Sequence, residues 1–364
     1  MHGTQTITPM RVQRLGVLTF HRCINYGSYW QARCLVEGLR GMGADAVLLD
    51  HQSTRVERAE LRCAFRPVLP TRTPRSDFPA YARKARKFRQ AFERLPLSPA
   101  FPLDRPEEIQ DYDSVVVGSD EVWNLQHPWY GGCATFYGAG ISARLVAYAA
   151  SFGNHDAANG LSEHWARRLR NFAALSVRDA NSREIVRGAL GCEAELVLDP
   201  CLQFPPPRAA EAREDKAYVA LYGHNFPTWL SEPVRRWARS TGRRLLSIGY
   251  RNDWADEQRI AAGPEAFSDL IAGADAVVTN FFHGCVFALL NKRPFITAPS
   301  PYRVNKVRGL MHSLGTEERM ISEATDDPAY ARLLEEPMDA AVDARITAWR
   351  RHSEAYLRRA VMPS

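Results

Sequence analysis

One pattern recurs along the chain and constrains its fold more than any other feature. A short run of β-branched and small apolar residues meets a break of glycine and polar residues, and an apolar stretch at helical spacing follows. RLGVLTF (14–20) runs into HRCINYGS, and YWQARCLVEGLRGMG then repeats apolar residues every three or four positions until it stops at glycine. ADAVLLD (44–50) is the next strand and completes a strand–helix–strand unit. Such units pack their helices over parallel strands, so the pattern predicts an α/β chain with parallel sheets.

The pattern returns in DYDSVVVGSDEVWN (111–124), RLVAYAASFGN (144–154) and AALSVRDANSREIVRGALG (173–191), and LVLDPCLQF (196–204) reads as a short closing strand. PPPRAAEAREDK (205–216) has three prolines, mixed charge and no periodicity, which are the marks of a linker. Beyond it AYVALYG (217–223), RRLLSIGY (243–250), AFSDLIAGADAVVTN (266–280) and RPFITAP (293–299) rebuild the same alternation. A chain of 364 residues exceeds what one hydrophobic core usually organises. Two Rossmann-like domains are therefore expected, 14–204 and 217–339, after a disordered leader (1–13). The Arg- and Pro-rich stretch 51–108 reads as an insertion over a site or an edge. The C-terminal segment (340–364) carries a helix to about 361 that is long enough to cross back onto the first half.

Composition narrows the function. Hydrophobic residues at 45% and charged residues at 24% are ordinary for a soluble globular protein. No apolar run approaches the ~20 residues of a membrane span, and the first residues lack a signal peptide's apolar core, so a cytoplasmic protein is expected. Seven cysteines without a CxxC pair read as reduced, mostly buried thiols. The ten histidines are scattered without metal-ligand spacing, and neither a metal nor a cofactor is expected. A net charge of +6 suits an anionic partner. No RNP, zinc-finger or OB-type signature is present, which argues against nucleic acid. The densest basic cluster, YARKARKFRQAFERL (81–95), reads either as a solvated helix face or as a contact for phospholipid headgroups or a lipid-linked substrate. The second reading would bring the protein to the inner face of the membrane.

Two stretches rhyme: DYDSVVVGSDEVW and GADAVVTNFFHG each run acidic residue, small residue, valines and polar turn. In open parallel sheets, ligands sit beyond the carboxyl ends of the strands. Two halves facing each other would converge NYGS, GSDEVW, SVRD and NFFHG on one cleft. On the last of these breaks, His283 either satisfies a backbone group at a crowded turn or faces a ligand at a helix start, with Gly284 allowing close approach. Arg178 in SVRD offers a fork-shaped guanidinium to an anion, or pairs with Asp179 or Asp199. Asp120 at a strand end either handles the proton of a hydroxyl or caps the following segment. Asn25, Tyr26 and Gly27 form the first turn, with Ser28 as the expected N-cap. Trp123 reads as core, or as a platform for a sugar. Arg303 and Lys306 suit phosphate or plain surface.

These stretches, GVLTFHRCINYGSYWQA, DSVVVGSDEVWN, VAYAASFGN, LSVRDANS, VLDP and ADAVVTNFFHGCVFALLNKRPF, resemble the polysaccharide pyruvyl transferase family in content and in order. The resemblance implies a two-domain, GT-B-like fold. It also implies transfer of enolpyruvate from phosphoenolpyruvate to sugar hydroxyls as a ketal, on a polysaccharide or its lipid-linked precursor. On that reading His283 and Asp120 are catalytic, as acid and base in either order. Arg178 holds the donor anion. Asn25, Tyr26, Gly27, Ser119, Glu121, Asn280, Phe282, Gly284, Arg303 and Lys306 line the substrate site. Two departures stand out: Phe281 and Cys285 occupy positions where the family more often carries hydroxyl residues, and Glu121 stands where glutamine is commoner. A glycosyltransferase using a nucleotide sugar on the same architecture is the alternative, and a repurposed, non-catalytic anion-binding member is a third reading. The acceptor is not legible in these residues.

Overall fold

The computed structural model describes residues 12–207 and 217–362. Positions 1–11 of the expected leader and 208–216 of the expected linker lie outside the described residues.

Two five-stranded sheets, parallel at every pairing, organise the chain. The first contains β1 (Arg14–Leu18), β2 (Asp45–Leu48), β3 (Ser114–Val117), β4 (Arg144–Ala147) and β5 (Phe172–Ala174), in the order β2-β1-β3-β4-β5. The second contains β6 (Tyr218–Tyr222), β7 (Arg244–Ile248), β8 (Glu257–Arg259), β9 (Ala276–Thr279) and β10 (Phe295–Thr297), in the order β8-β7-β6-β9-β10. Strands β3, β6 and β9 are buried at every position, which explains why their valine runs do not alternate with polar residues. Strand order reverses between β1 and β3 in one sheet and between β6 and β9 in the other. The crevice beyond such a reversal is where parallel sheets bind ligands. The four chain segments leaving those strand ends begin at Thr19, Gly118, Gly223 and Asn280.

The two halves share a buried core. The ring of Tyr26, at the start of the helix Tyr26–Gly41, stacks on Phe267 at 4.4 Å, and its hydroxyl donates to the Ala262 carbonyl at 2.8 Å. Trp30 Nε1 donates to the Pro264 carbonyl at 3.0 Å, and one apolar cluster runs from Val17 and Leu35 through to Val277 and Phe287. The C-terminal helix Ala340–Val361 crosses back as expected. Its first half holds the Ser313 and Leu314 carbonyls through Trp349 and Arg345. Its second half accepts the Leu198 amide on Ser353 Oγ at 2.9 Å and donates from Tyr356 to the Ala147 carbonyl at 2.7 Å.

Three expectations are corrected. LVLDPCLQF is a strand only over Glu195–Leu196; Asp199 then caps a helical turn, Pro200–Gln203, by accepting from the Cys201 amide at 3.0 Å. The stretch 51–108 is not irregular outside its basic helix, because Thr54–Phe65 is a second helix whose only buried side chains are Val56 and Glu60. The basic segment forms the helix Phe78–Phe92, and it is not uniformly solvated. Tyr81, Lys84, Phe88 and Phe92 turn inward while Arg83, Arg86, Lys87 and Arg89 stay exposed. Trp123 is core, fully buried with Nε1 donating to the Phe136 carbonyl at 3.0 Å. Among the described residues, no helix is long and apolar enough to cross a membrane.

Candidate active site

Two helix starts abut at the crevice. Asn25 is extended at φ −136° and caps the helix Tyr26–Gly41, its Oδ1 accepting from the Gly27 amide at 2.8 Å and the Ser28 amide at 3.2 Å. Asn25, not Ser28, is therefore the cap. Ser28 instead donates its hydroxyl to Asp120 Oδ2 at 2.7 Å. Opposite, the helix Phe282–Leu290 begins with no side-chain cap. His283 lies against the other helix so closely that a Cβ on Gly27 would stand 2.0 Å from its Nδ1. A Cβ on Gly284 would likewise meet Thr279 Oγ1 at 2.0 Å. Each glycine is required by a side chain passing over it.

Behind these turns runs a buried chain of polar and charged side chains. His283 Nε2 lies 3.5 Å from Asp199 Oδ2, and that oxygen also accepts from Arg178 at 2.9 Å. The other guanidinium nitrogen reaches Asp120 Oδ1 at 3.2 Å, and Asp120 Oδ2 receives Ser28. Burial alone would raise the Asp199 carboxyl, but the His283 imidazole, the Arg178 guanidinium and the Cys201 amide together hold it well below the carboxylate range. Arg178 also lies over the Phe282 ring at 4.7 Å and reaches Ser119 Oγ at 3.4 Å. Asp179 takes no part in this chain, because it caps the helix Ala180–Leu190 through the Ser182 amide at 2.7 Å. Asp120 sits at φ +77°, a conformation that few non-glycine residues adopt and that costs on the order of 1 kcal/mol or more. Its bonds to Ser28, to Arg178 and to the Glu121 amide at 2.9 Å keep it there.

In front of Asp120 a cavity of about 340 Å³ opens between the halves and the 51–108 segment. Three cations line it: Lys84, Arg303 and Lys306. Lys306 is paired with Glu121, whose carboxyl also accepts from Tyr302 at 3.0 Å and Asn124 at 2.8 Å. Burial opposes the charge on Glu121, yet Lys306 above all, with Arg178 and Asn124, pulls its carboxyl down to about 2. Lys84 donates to the Gly249 carbonyl at 3.0 Å and lies 4.3 Å from the Tyr250 ring and 4.9 Å from that of Tyr26. Burial pushes its ammonium down to about 7. Arg303 stacks on Phe281 at 4.4 Å and donates to Ser300 Oγ at 3.1 Å. Glu60 closes the far wall, and burial raises its carboxyl to about 7.

Of the residues expected from the sequence, Asn25, Asp120, Glu121, Arg303 and Lys306 line this cavity. Gly27, Ser119, Arg178, Phe282, His283 and Gly284 stand behind it, in the charge chain or its packing. Tyr26 belongs to the interface between the halves. Asn280 donates to the His224 carbonyl at 2.6 Å and packs on Gly223. Phe281 is a wall that seats Arg303, and Cys285 is fully buried away from the cavity. Sequence reasoning missed Lys84 and Glu60. Lys84 left a signal, being a lysine on the apolar stripe Tyr81, Ala85, Phe88 and Phe92. Asp199, Cys201 and His283 offer ligand atoms within 4.8 Å of one another, but Arg178 already occupies the carboxylate and burial raises the Cys201 thiol, so the cluster is poorly suited to a cation.

The molecule is similar in fold to an S. aureus MnaA–UDP co-structure, with a TM-score of 0.51, 12% identity, and coverage of 94% of this chain and 91% of that one. A Methanocaldococcus jannaschii UDP-GlcNAc 2-epimerase in complex with UDP-GlcNAc and UDP matches at a TM-score of 0.49 and 12% identity, over 93% and 99% of the two chains. AviGT4, a glycosyltransferase involved in avilamycin A biosynthesis, matches at 0.46 and 15%, over 96% and 98%. At such identities the first of these likenesses speaks to the fold alone, a GT-B-like pair of Rossmann-like halves. No curated protein sequence matches the chain. The family model for polysaccharide pyruvyl transferases matches residues 25–298, well over half the chain, and the protein belongs to that family.

Proposed function

We propose that the protein transfers enolpyruvate from phosphoenolpyruvate to two hydroxyls of a saccharide, forming a cyclic pyruvate ketal and releasing phosphate. One observation carries the reading: the cavity in front of Asp120 presents Lys84 and Arg303, cations with no carboxylate at ion-pair distance among the described residues, Glu60 acting on Lys84 only from farther off. Phosphoenolpyruvate bears a carboxylate and a phosphate, and two unpaired cations at a helix-lined crevice suit both. Lys306 is a third, restrained by Glu121.

Chemistry follows from the placement. The methylene carbon of the donor takes a proton, and the central carbon becomes electrophilic. The first sugar hydroxyl adds to that carbon and gives its proton to Asp120. The second hydroxyl closes the ring as the carbon–oxygen bond to phosphate breaks, and its proton leaves with phosphate. Of the cavity-lining groups, Glu60 is the one with a carboxyl still protonated near neutral pH, so it serves as the acid. His283 lies behind Gly27, outside the cavity. It acts through Asp199 and Arg178, which hold Asp120 as an aligned carboxylate. Arg178, engaged by both carboxylates, is a support rather than the donor clamp.

Calorimetric titration of phosphoenolpyruvate needs no acceptor and tests this directly. The wild type binds phosphoenolpyruvate, Arg303→Ala weakens binding at least tenfold, and UDP- and GDP-sugars give no heat. Tight nucleotide-sugar binding without phosphoenolpyruvate binding would replace this reading with a glycosyltransferase. Binding of phosphoenolpyruvate without turnover on any saccharide panel would favour a repurposed anion-binding protein.

A further inference from the structure

Lys84 is only 3% exposed, yet it lines the cleft. An ammonium carries three N–H groups, and the described residues give this one a single acceptor, the Gly249 carbonyl at 3.0 Å. Its other neighbours are ring faces, Tyr250 at 4.3 Å and Tyr26 at 4.9 Å. A neutral amine needs less: one N–H rests on the carbonyl, the other on a ring face, and a lone pair stays free. Burial lowers the ammonium to about 7, so amine and ammonium coexist at neutral pH. A lysine that is desolvated and lacks a carboxylate at ion-pair distance is a nucleophile as well as a cation.

Two further groups on the same cavity complete a reactive set. Glu60 is on the neighbouring helix Thr54–Phe65 and is 7% exposed. Its Oε2 accepts from the Ile24 amide at 3.2 Å, while its buried Oε1 has no partner among the described residues. That oxygen is free to carry a proton and to give it up. Arg303, held by the Phe281 ring and by one bond to Ser300, keeps donors for a carboxylate. Lys306, by contrast, is taken by Glu121. Guanidinium, amine and carboxyl together fit a molecule whose carbonyl carbon adjoins a carboxylate, which is a 2-oxo acid. Pyruvate, the donor's carbon skeleton without its phosphate, is the natural probe.

We propose that Lys84 is a second reactive centre, forming an imine with a 2-oxo acid whose carboxylate rests on Arg303. The place of the carboxylate rests on the donor-site reading above; the reactivity of the amine does not. Lys84 Nζ adds to the keto carbon, and one amine proton passes to the carbonyl oxygen. The resulting hydroxyl takes the Glu60 proton and leaves as water. A protonated imine and the Glu60 carboxylate remain, so charge and atoms balance without an oxidant or reductant. The adduct fills the donor site, and a 2-oxo acid thereby holds the enzyme off until water reverses the condensation.

The test treats the full chain with pyruvate and sodium cyanoborohydride, which reduces an imine to a stable carboxyethyl-lysine, and locates the label by peptide mass mapping. Lys87, exposed on the same helix, is the internal control. Lys84 should label about tenfold faster than Lys87, and excess phosphoenolpyruvate should block the difference. Arg303→Ala should slow the label at Lys84 about tenfold, and Lys84→Met should label only at the rate of exposed lysines. Calorimetric titration of phosphoenolpyruvate runs alongside. Label at Lys84 no faster than at Lys87 overturns the imine, whether or not phosphoenolpyruvate binds. Fast label that Arg303→Ala leaves unchanged overturns the place given to the carboxylate. Fast label with no binding of phosphoenolpyruvate leaves the imine standing and removes the donor reading.

Discussion

Replacing Glu121 with glutamine separates the stability of this site from its affinity for anions. Glu121 is buried, pairs with Lys306, and accepts from Tyr302 and Asn124. Its carboxyl titrates near 2 in the folded chain against an ordinary 4.5. That gap of roughly two and a half pH units, at about 1.36 kcal/mol each, makes the folded environment worth on the order of 3 kcal/mol to the charge. Removing one partner of a buried pair costs about 3–5 kcal/mol by the independent route of mutational experience, so the two figures agree. Because the folded carboxyl titrates lower than the unfolded one, this stability is complete above pH 4.5 and is lost as pH falls toward 2. Glu121→Gln should therefore melt roughly 4–7 °C below the wild type at pH 7, and the difference should close progressively below pH 4.5. Lys306, released from its counter-ion, should meanwhile bind phosphoenolpyruvate several-fold more tightly. Thermal melts across pH 2–8 and one calorimetric titration suffice. A variant that melts with the wild type at neutral pH and keeps the same acid limb would refute the pairing argument.

Three other substitutions follow from named contacts. Gly27→Ala puts a methyl 2.0 Å from His283 Nδ1, so despite alanine's better helix propensity it should cost about 1–3 kcal/mol by thermal melting and displace the imidazole, seen as a shifted histidine resonance. Asp199→Asn leaves Arg178 buried with only Asp120 as counter-charge. It should destabilise by about 3–5 kcal/mol at neutral pH, with the loss fading toward low pH where the wild-type carboxylate is also protonated. Lys84→Met removes an ammonium that burial disfavours. The unfolded lysine takes up its proton below about 10.5 and the folded one only below about 7, so the wild type loses stability as pH falls between these values. The variant should melt higher than the wild type at pH 7, match it at pH 11, and bind phosphoenolpyruvate about tenfold more weakly.

The parallel sheets were legible because their strands are short, valine-rich and closed by turn residues, as in DSVVVGSD and ADAVVTNFF. The helix Thr54–Phe65 was not, since a segment that is polar overall and buries only Val56 and Glu60 offers few apolar positions to read. Asp199 falls inside the strand expected over 196–204 because LVLDPCLQF continues an apolar run. Only the turn of chain after it makes the carboxylate a cap that also serves Arg178. Ser28 is expected as the cap because Asn25 and Ser28, three residues apart, are both good capping types, and the choice depends on Asp120, 92 residues beyond Ser28. Local patterns report the backbone of each turn. Which side chains meet across two halves depends on how those halves dock, and no local pattern encodes that.

That docking also explains why the matching motif histidine is not at the cavity surface. Tyr26 on Phe267 and Trp30 on Pro264 press the two helix starts together until only a glycine at 27 leaves room for the imidazole. Among the described residues His283 Nε2 then has Asp199 as its nearby charged partner, and Asp199 shares its oxygen with Arg178. The imidazole and the guanidinium thus compete for one carboxylate oxygen, and the position of Arg178 between Asp199 and Asp120 depends on both. Donor binding and turnover should therefore respond separately to substitution: cavity cations govern the first, and this buried chain governs the second. His283→Gln should lower turnover while leaving the calorimetric affinity for phosphoenolpyruvate within about twofold of wild type. A histidine that touches the donor would lose both together, and that result would return His283 to the cavity and the role of acid.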